Sequence, residues 1–224
     1  MNSFKFDTHV HTFETSPCGI VLAANAVRYY KKVGYNGVVI TDHYNADFFS
    51  PRQNQPWEHS IDEFLKGFRN AHAEGIKTGL IVLLGIEIRL EESIEEYLVY
   101  GFDEDFLYNN PELYKLDFKT FSNFARSNGL LVYQAHPFRR WFKAAPPLLL
   151  DGMEVYNGNP RHNSHNDRAL EYAEKYGLRQ LSGSDFHHPE DLARGGVILP
   201  EAPKNISGFK KLLFESRIID LIKT

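Results

Sequence analysis

The sequence predicts an α/β protein, a barrel of strand–helix units, and three observations carry that prediction. Short apolar, β-branched runs alternate with helix-like stretches about seven times along the chain. The length of 224 residues suits one such barrel, read as a single domain over 1–224. His, Asp and Glu residues gather at or just past the ends of the strand-like runs. In α/β barrels that is the face on which active sites are built.

The elements follow in order. Residues 4–12 alternate apolar and polar side chains without Gly or Pro and read as a first strand. Side chains two apart share a strand face, so Asp7, His9 and His11 are expected to point the same way. A loop with Pro17 and Gly19 leads to a helix over 20–33, closed by Lys31, Lys32 and Gly34. The run GVVI at 37–40 is a second strand ending in Thr41-Asp42-His43, with Asp42 turned away from the face of His43. Ser60 and Glu63 suggest a capping box for a helix over 61–74. IVLLGIEI is a third strand carrying Glu87, and YLVYGF, beginning at Tyr97, a fourth. Residues 103–116 read as broken helical turns and 117–127 as a helix stopped by Asn128-Gly129. LLVYQ leads directly to His136, and GMEVY carries Glu154. A helix over 163–176, a strand over 178–182 leading to Asp185 and His187, a short strand at 197–199 and a helix over 206–217 complete the chain.

Composition excludes several classes. A formal net charge of −4 gives no basic surface for general nucleic-acid binding. One cysteine, Cys18, cannot form an internal disulfide framework and fits a reducing compartment, so a cytoplasmic location is expected. No apolar run is long enough to span a bilayer, and the first residues lack the apolar core of a secretory signal. The Tyr and Phe content reads as packing between helices and sheet.

Ten histidines are the unusual part of the composition. His9, His11, His43, His136 and His187, with Glu87 and Asp185, exceed what one four-coordinate ion needs. A carboxylate such as Glu87 can bridge two ions, lowering the pKa of a shared water and clamping an in-line displacement at phosphorus. The mixed nitrogen and oxygen donors suit Zn, Mn or Fe.

The segments FDTHVHT, VVITDH, GIEI, QAHPFR, MEVYNG and SGSDFH, in this order, resemble the motif series of the PHP (polymerase and histidinol phosphatase) superfamily. The resemblance runs from Asp7 to about Gly196. It implies a distorted (β/α)7 barrel with two or three divalent metal ions, acting mostly on phosphate esters. Carried over by motif, His9 and His11 hold a first ion with Asp185, and Glu87 bridges to a second bound by His136. His43 and His187 hold a third ion or contact the substrate phosphate. Glu14 is favoured over Cys18 as the residue completing the third site, because it offers a hard oxygen ligand. Tyr97 stands where several trinuclear relatives have a His. A phenol with an ordinary pKa of about 10 is a poor ligand at neutral pH, so the second ion is expected to be weakly held or missing.

The expected function is a metal-dependent phosphoesterase, hydrolysing a small phosphate ester through a metal-bound hydroxide at a di- or trinuclear site. Asp185 or His43 would carry the proton to the leaving group. Arg139 and Arg161 are the candidate phosphate-binding residues, because a guanidinium fork binds two oxygens at once. Substrate classes left open are histidinol phosphate, a nucleotide phosphate, a sugar phosphate or a short oligonucleotide. Glu154 faces the cavity either as a ligand or as a salt-bridged barrel carboxylate. His162 and His165 are read as surface residues, and His59, His72 and His188 as incidental. Two other classes remain: a non-catalytic metal- or nucleotide-binding module of the PHP type, and amidohydrolase-like hydrolysis of a C–N or C–O bond. The second usually uses a strand-end lysine, which this chain does not offer.

Overall fold

A computed structural model describes residues 3–224. The first half runs β1 (Phe4–Val10), α1 (Ala23–Lys32), β2 (Gly37–Ile40), β3 (His43–Tyr44), α2 (Ala46–Phe49), α3 (Trp57–Phe64), α4 (Lys66–Thr78), β4 (Ile81–Arg89) and β5 (Glu96–Tyr100). The second half runs α5 (Glu104–Asn109), α6 (Phe118–Ser127), β6 (Leu131–Gln134), β7 (Gly152–Asn157), α7 (Asn166–Tyr176), β8 (Arg179–Gly183), β9 (Gly195–Leu199), α8 (Ile206–Phe214) and β10 (Asp220–Lys223). The strands form one sheet in the order β10-β9-β1-β2-β4-β5-β6-β7-β8, with β3 on β4. The sheet curls into a nearly closed, distorted (β/α) barrel, as the sequence led us to expect.

Alternation along the strands divides the apolar residues into an inside and an outside. Phe6, Val39, Leu83, Leu98, Tyr100, Leu131, Tyr133 and Leu181 pack together within the barrel, and Phe209, Leu212 and Leu213 of α8 close its base. On the other faces, Val38, Ile40 and Val82 pack beneath α1 and α4. Ile86, Ile88, Tyr97 and Val99 join an aromatic layer with Tyr44, Phe49 and Phe64. The aromatic residues are thus largely packing material, as the composition suggested. The apolar interior fills the base and leaves the mouth to polar side chains.

Besides the antiparallel strands β9 and β10 at one edge of the sheet, three departures from a regular parallel barrel shape the mouth. First, β5 runs antiparallel to both β4 and β6. Its first residue, Glu96, therefore lies at the same mouth as the C-terminal ends of the parallel strands. Second, the register of β1 against β2 shifts between Asp7 and Val10. That bulge sets two inter-residue steps on β2 against three on β1, which reverses the alternation. Phe6 stays inside, Asp7 turns out to accept a hydrogen bond from Tyr30 of α1 at 2.7 Å, and His9 and His11 point in. The expected common face for Asp7, His9 and His11 is corrected accordingly. Third, β1 and β8 share no ladder. They meet through Thr8 Oγ1 donating to Ser182 O, Ser184 N donating to Asp7, and a single parallel bridge between Val10 and Phe186.

Smaller corrections concern boundaries. The helix expected over 61–74 is two helices, α3 and α4, and Ser60 lies buried inside α3, where its Oγ accepts from Gln55, rather than capping a helix. The final helix stops at Phe214, and β10 follows where no strand was expected.

Candidate metal centre

Each polar side chain at the mouth is set by its strand. Leu83, Gly85 and Glu87 lie on one face of β4, so Glu87 follows Leu83 inward. His9 and His11 arrive through the β1 bulge, and Glu154 faces in from β7. Gly183 makes the approach of β1 possible, because a Cβ there would sit 2.4 Å from the His9 Cβ and 2.7 Å from a Glu154 oxygen. Two site residues have left-handed backbones, His136 with φ of 27° and Asp185 with φ of 52°. Such conformations cost about 1–3 kcal/mol in a non-glycine residue and are held by surrounding contacts.

Glu87 is the hub. Its carboxylate lies 3.2 Å from His9 Nε2, 3.0 Å from His136 Nε2, 2.8 Å from His43 Nδ1 and 3.4 Å from His11 Nε2. Asp185 Oδ1 lies 3.6 Å from His9 Nε2, 3.5 Å from His11 Nε2 and 3.3 Å from His187 Nδ1. The donors fall into four overlapping groups, each within 4.8 Å: His9, His11 and Asp185; His9, Glu87 and His136; His43, Glu87 and Glu96; His11, His43 and His187.

The electrostatics follow from crowding. Burial opposes charge on His9, but Glu87, Glu154 and Asp185 outweigh it and hold its imidazole well above the usual range. His11, buried and beside His187 and His43, is pushed well below the usual range and stays neutral. Burial works against the carboxylate of Asp185, yet the Arg139 guanidinium and His9 keep it ionised well below the ordinary value. Glu87 is likewise held down against its burial, by His9 and His43. Glu96 goes the other way, raised by burial and by Glu87.

A direct test of fit for metal ions is whether buried polar atoms lack partners. His9 Nε2, His11 Nε2, His43 Nδ1 and Glu87 Oε2 are buried without a hydrogen-bond partner. Unpaired buried polar atoms are costly, and these four converge with unprotonated carboxylates. The donor set is that of a hard-to-borderline divalent cation. Behind it, Glu154 lies 2.9 Å from His9 Nδ1 and accepts from His136 N and Asn157 Nδ2, each at 2.9 Å. Its place is therefore that of an orienting carboxylate, which fixes the His9 ring and leaves Nε2 toward the cluster.

The sequence-derived residues separate clearly by position. His9, His11, His43, Glu87, His136, Asp185 and His187 are brought together. Glu14 is not: its carboxylate accepts from Ala23 N at 2.9 Å and from Asn70 at 3.2 Å, serving the start of α1. Cys18 instead lines the cavity beside His43 and His187, outside the four donor groups. Tyr97 points outward and stacks on Phe118 at 4.2 Å between centroids. The inward position is its neighbour Glu96, which sequence reading passed over. Its Oε2 lies 3.5 Å from His136 Nε2. The signal was present in the alternation Glu96, Leu98, Tyr100, but the strand was begun one residue late. Asp42 is structural, as expected, accepting from Thr12 N, Thr12 Oγ1 and Ser16 Oγ at 2.7 Å each.

The cluster opens to a cavity of about 300 Å³, lined among others by Arg139, Arg161, His162 and His188. Arg139 donates to Asp185 at 2.6 Å and to Asn157 at 3.1 Å. Arg161 pairs with the buried Asp191. Both arginines thus face the cavity already held by carboxylates. His162 and His188, read from sequence as bystanders, stand on the cavity wall.

A PHP domain family model matches residues 7–213. The chain belongs to the PHP domain family. Among solved structures it resembles a two-domain protein from Bacteroides vulgatus containing a predicted PHP-like metal-dependent phosphoesterase, with a TM-score of 0.68 and 18% identity over 97% of this chain. It also resembles a proposed metal-dependent phosphoesterase from Bifidobacterium adolescentis, with a TM-score of 0.57, 17% identity and 96% of each chain covered. A third likeness is to the lesion-specific endonuclease EndoQ of Pyrococcus furiosus, with a TM-score of 0.65 and 14% identity over 98% of this chain. This chain spans 64% of the Bacteroides chain and 58% of the Pyrococcus chain. No curated protein sequence matches it. None of its described helices is long and apolar enough to cross a membrane.

Proposed function

We propose that this chain is a metal-dependent phosphoric ester hydrolase acting on a small phosphate ester. The observation that carries the reading is the convergence of His9 Nε2 and His11 Nε2, buried and unpartnered, on the oxygens of Glu87 and Asp185. His9, His11 and Asp185 would hold one divalent ion, and Glu87 with His136 a second, beside which the Glu96 carboxylate stands 3.5 Å from His136. Zn, Mn and Fe suit these donors. Bound there, divalent ions acidify water and neutralise charge on phosphoryl oxygens.

The chain's own residues supply the rest. Arg139, at the cavity wall, offers its guanidinium to the phosphate oxygens while its contact with Asp185 fixes its direction. Arg161, braced by Asp191, is the second phosphate contact. Asp185 and His43, the proton carriers expected from sequence, are drawn into the donor groups. His162 and His188 line the cavity outside those groups and would protonate the leaving alkoxide. The cavity volume fits a nucleotide- or sugar-phosphate-sized ester.

The test is phosphate release from a panel of phosphomonoesters and short oligonucleotides, using manganese- or zinc-loaded protein, chelated protein and His9→Ala. Metal-dependent turnover that disappears in the variant is expected. Metal bound without turnover on any ester would overturn the reading in favour of a binding module or carbon-centred hydrolysis.

A further inference from the structure

A second cavity, of about 330 Å³, adjoins the first and shares Cys18, His43 and Glu96 with it. His43 and Glu96, two of the clustered donors, thus stand on the divide between two chambers. Arg139, Arg161, His162 and His188 line only the first. The second is walled by the loop after β1, by the corner from β3 into α2 and by Arg89 at the end of β4. The loop is pinned on both sides, where Ser16 Oγ accepts from His43 N at 3.1 Å and Ile20 N donates to His187 O at 3.0 Å.

The chemistry of the second chamber follows from its sequence. Asn45 caps α2, its Oδ1 accepting from Phe48 N at 3.1 Å. That bond fixes the amide, and Asn45 Nδ2 donates to no described residue although the side chain is only 5% exposed. A donor so placed gains from an acceptor brought by a ligand. Phe48 adds apolar wall, its ring held under the Arg52 guanidinium at 4.0 Å. Arg89 lies opposite Glu96 in the β4–β5 pairing, 4.0 Å from its carboxylate, and pairs with Asp47. The wall therefore carries two carboxylates against one guanidinium.

We propose that this chamber is a specificity subsite for a substituent that stays on phosphorus, which makes the substrate a phosphodiester with an uncharged retained group. That group has an apolar face for Phe48 and a carbonyl or ring-nitrogen acceptor for Asn45 Nδ2. The inference rests on the phosphoesterase reading above. There the leaving oxygen belongs to the first cavity, with His162 and His188, so a group in the second is one the reaction keeps. A monoester has no such group and leaves the chamber unused. Water adds to phosphorus, the bond to the leaving oxygen breaks, and one water proton passes to that oxygen. The products are an alcohol and a phosphate monoester of the retained group. Asp47 and Glu96 select against a further phosphate on that group, and hence against a nucleotide chain.

The experiment compares esters sharing one leaving group, p-nitrophenolate, on the manganese-loaded full chain. That leaving group needs no proton, so the comparison reads the retained side. Thymidine 5′-(p-nitrophenyl phosphate) should exceed methyl p-nitrophenyl phosphate at least about tenfold in kcat/KM, and adding a 3′-phosphate to the thymidine should lose at least about tenfold. Asn45→Asp and Asn45→Ser each keep an acceptor for the α2 cap and lose the amide donor. The thymidine-to-methyl ratio should fall about three- to tenfold in both. A wild-type ratio near one, or a ratio unchanged in both variants, overturns the subsite and leaves the phosphoesterase reading intact. Faster turnover of p-nitrophenyl phosphate than of the thymidine ester does the same. No turnover of any of these esters overturns both.

Discussion

Replacing Glu154 by Gln tests whether that carboxylate acts through His9. Glu154 is fully buried and makes three contacts of 2.9 Å, to His9 Nδ1, His136 N and Asn157 Nδ2. The last two are donors and need an acceptor, so the Gln oxygen must face them. The Gln amino group then faces His9 Nδ1 and obliges that nitrogen to accept. The ring proton moves to Nε2, the atom 3.2 Å from Glu87 and 3.6 Å from Asp185. A protonated Nε2 cannot bind an ion. Two of three contacts and the side-chain shape survive, so stability should change by only about 1 kcal/mol. Metal affinity should fall about 10–100-fold, equivalent to about 1.4–2.7 kcal/mol. Competition with a chromophoric chelator measures the affinity, and urea unfolding of the chelated protein measures the stability. Wild-type metal affinity in Glu154→Gln would refute the orienting role.

Three further outcomes follow from the geometry. Glu96→Ala should lose roughly one bound ion and at least about tenfold in activity, whereas Tyr97→Phe should change neither; metal analysis with the phosphate-release assay distinguishes the neighbours. Gly183→Ala, which drives a Cβ into His9 and Glu154, should cost about 1–3 kcal/mol in urea unfolding and weaken metal binding with it. Asp7 has its pKa raised to about 6, by burial against the opposing hydrogen bonds of Ser184 and Tyr30. A raised folded-state pKa gives stability that is full below the unfolded value and lost as pH rises through 6. The contribution is of order 3 kcal/mol, so chelated Asp7→Asn should show a flatter stability profile than wild type between about pH 4 and 7, read by unfolding across that range.

The parts of the fold that follow from periodicity were legible in the sequence. The runs around Val39, Leu83 and Leu131 became barrel strands, and the motif histidines came together at one mouth. What escaped was set by pairing between strands, which no single segment encodes. The reversal of β5 is decided by the short connection from Arg89 to Glu96 and by partners on both sides. Once β5 is antiparallel, a site residue sits at its start, and a search for residues at strand ends passes over Glu96. The β1 bulge is similar: alternation alone puts Asp7 with His9, and only the register against β2 separates them. Glu14 and Cys18 lie in a loop whose winding depends on tertiary anchors at His43 and His187. Chemistry alone favoured Glu14, and that loop turns Glu14 toward α1 and Cys18 toward the cavity.

The unladdered junction between β1 and β8 has a mechanical consequence. His9 and His11 lie on one side of it and Asp185 on the other. A cation gripping all three would act as a rivet across the barrel's weakest joint, where few backbone hydrogen bonds resist separation. Assembly of the centre and closure of the barrel would then be one event. Amide exchange around Thr8 and Ser182 should slow on loading far more than exchange in the laddered strands opposite. The joint that looks like an imperfection of the barrel would be the place where the protein senses whether its centre is complete.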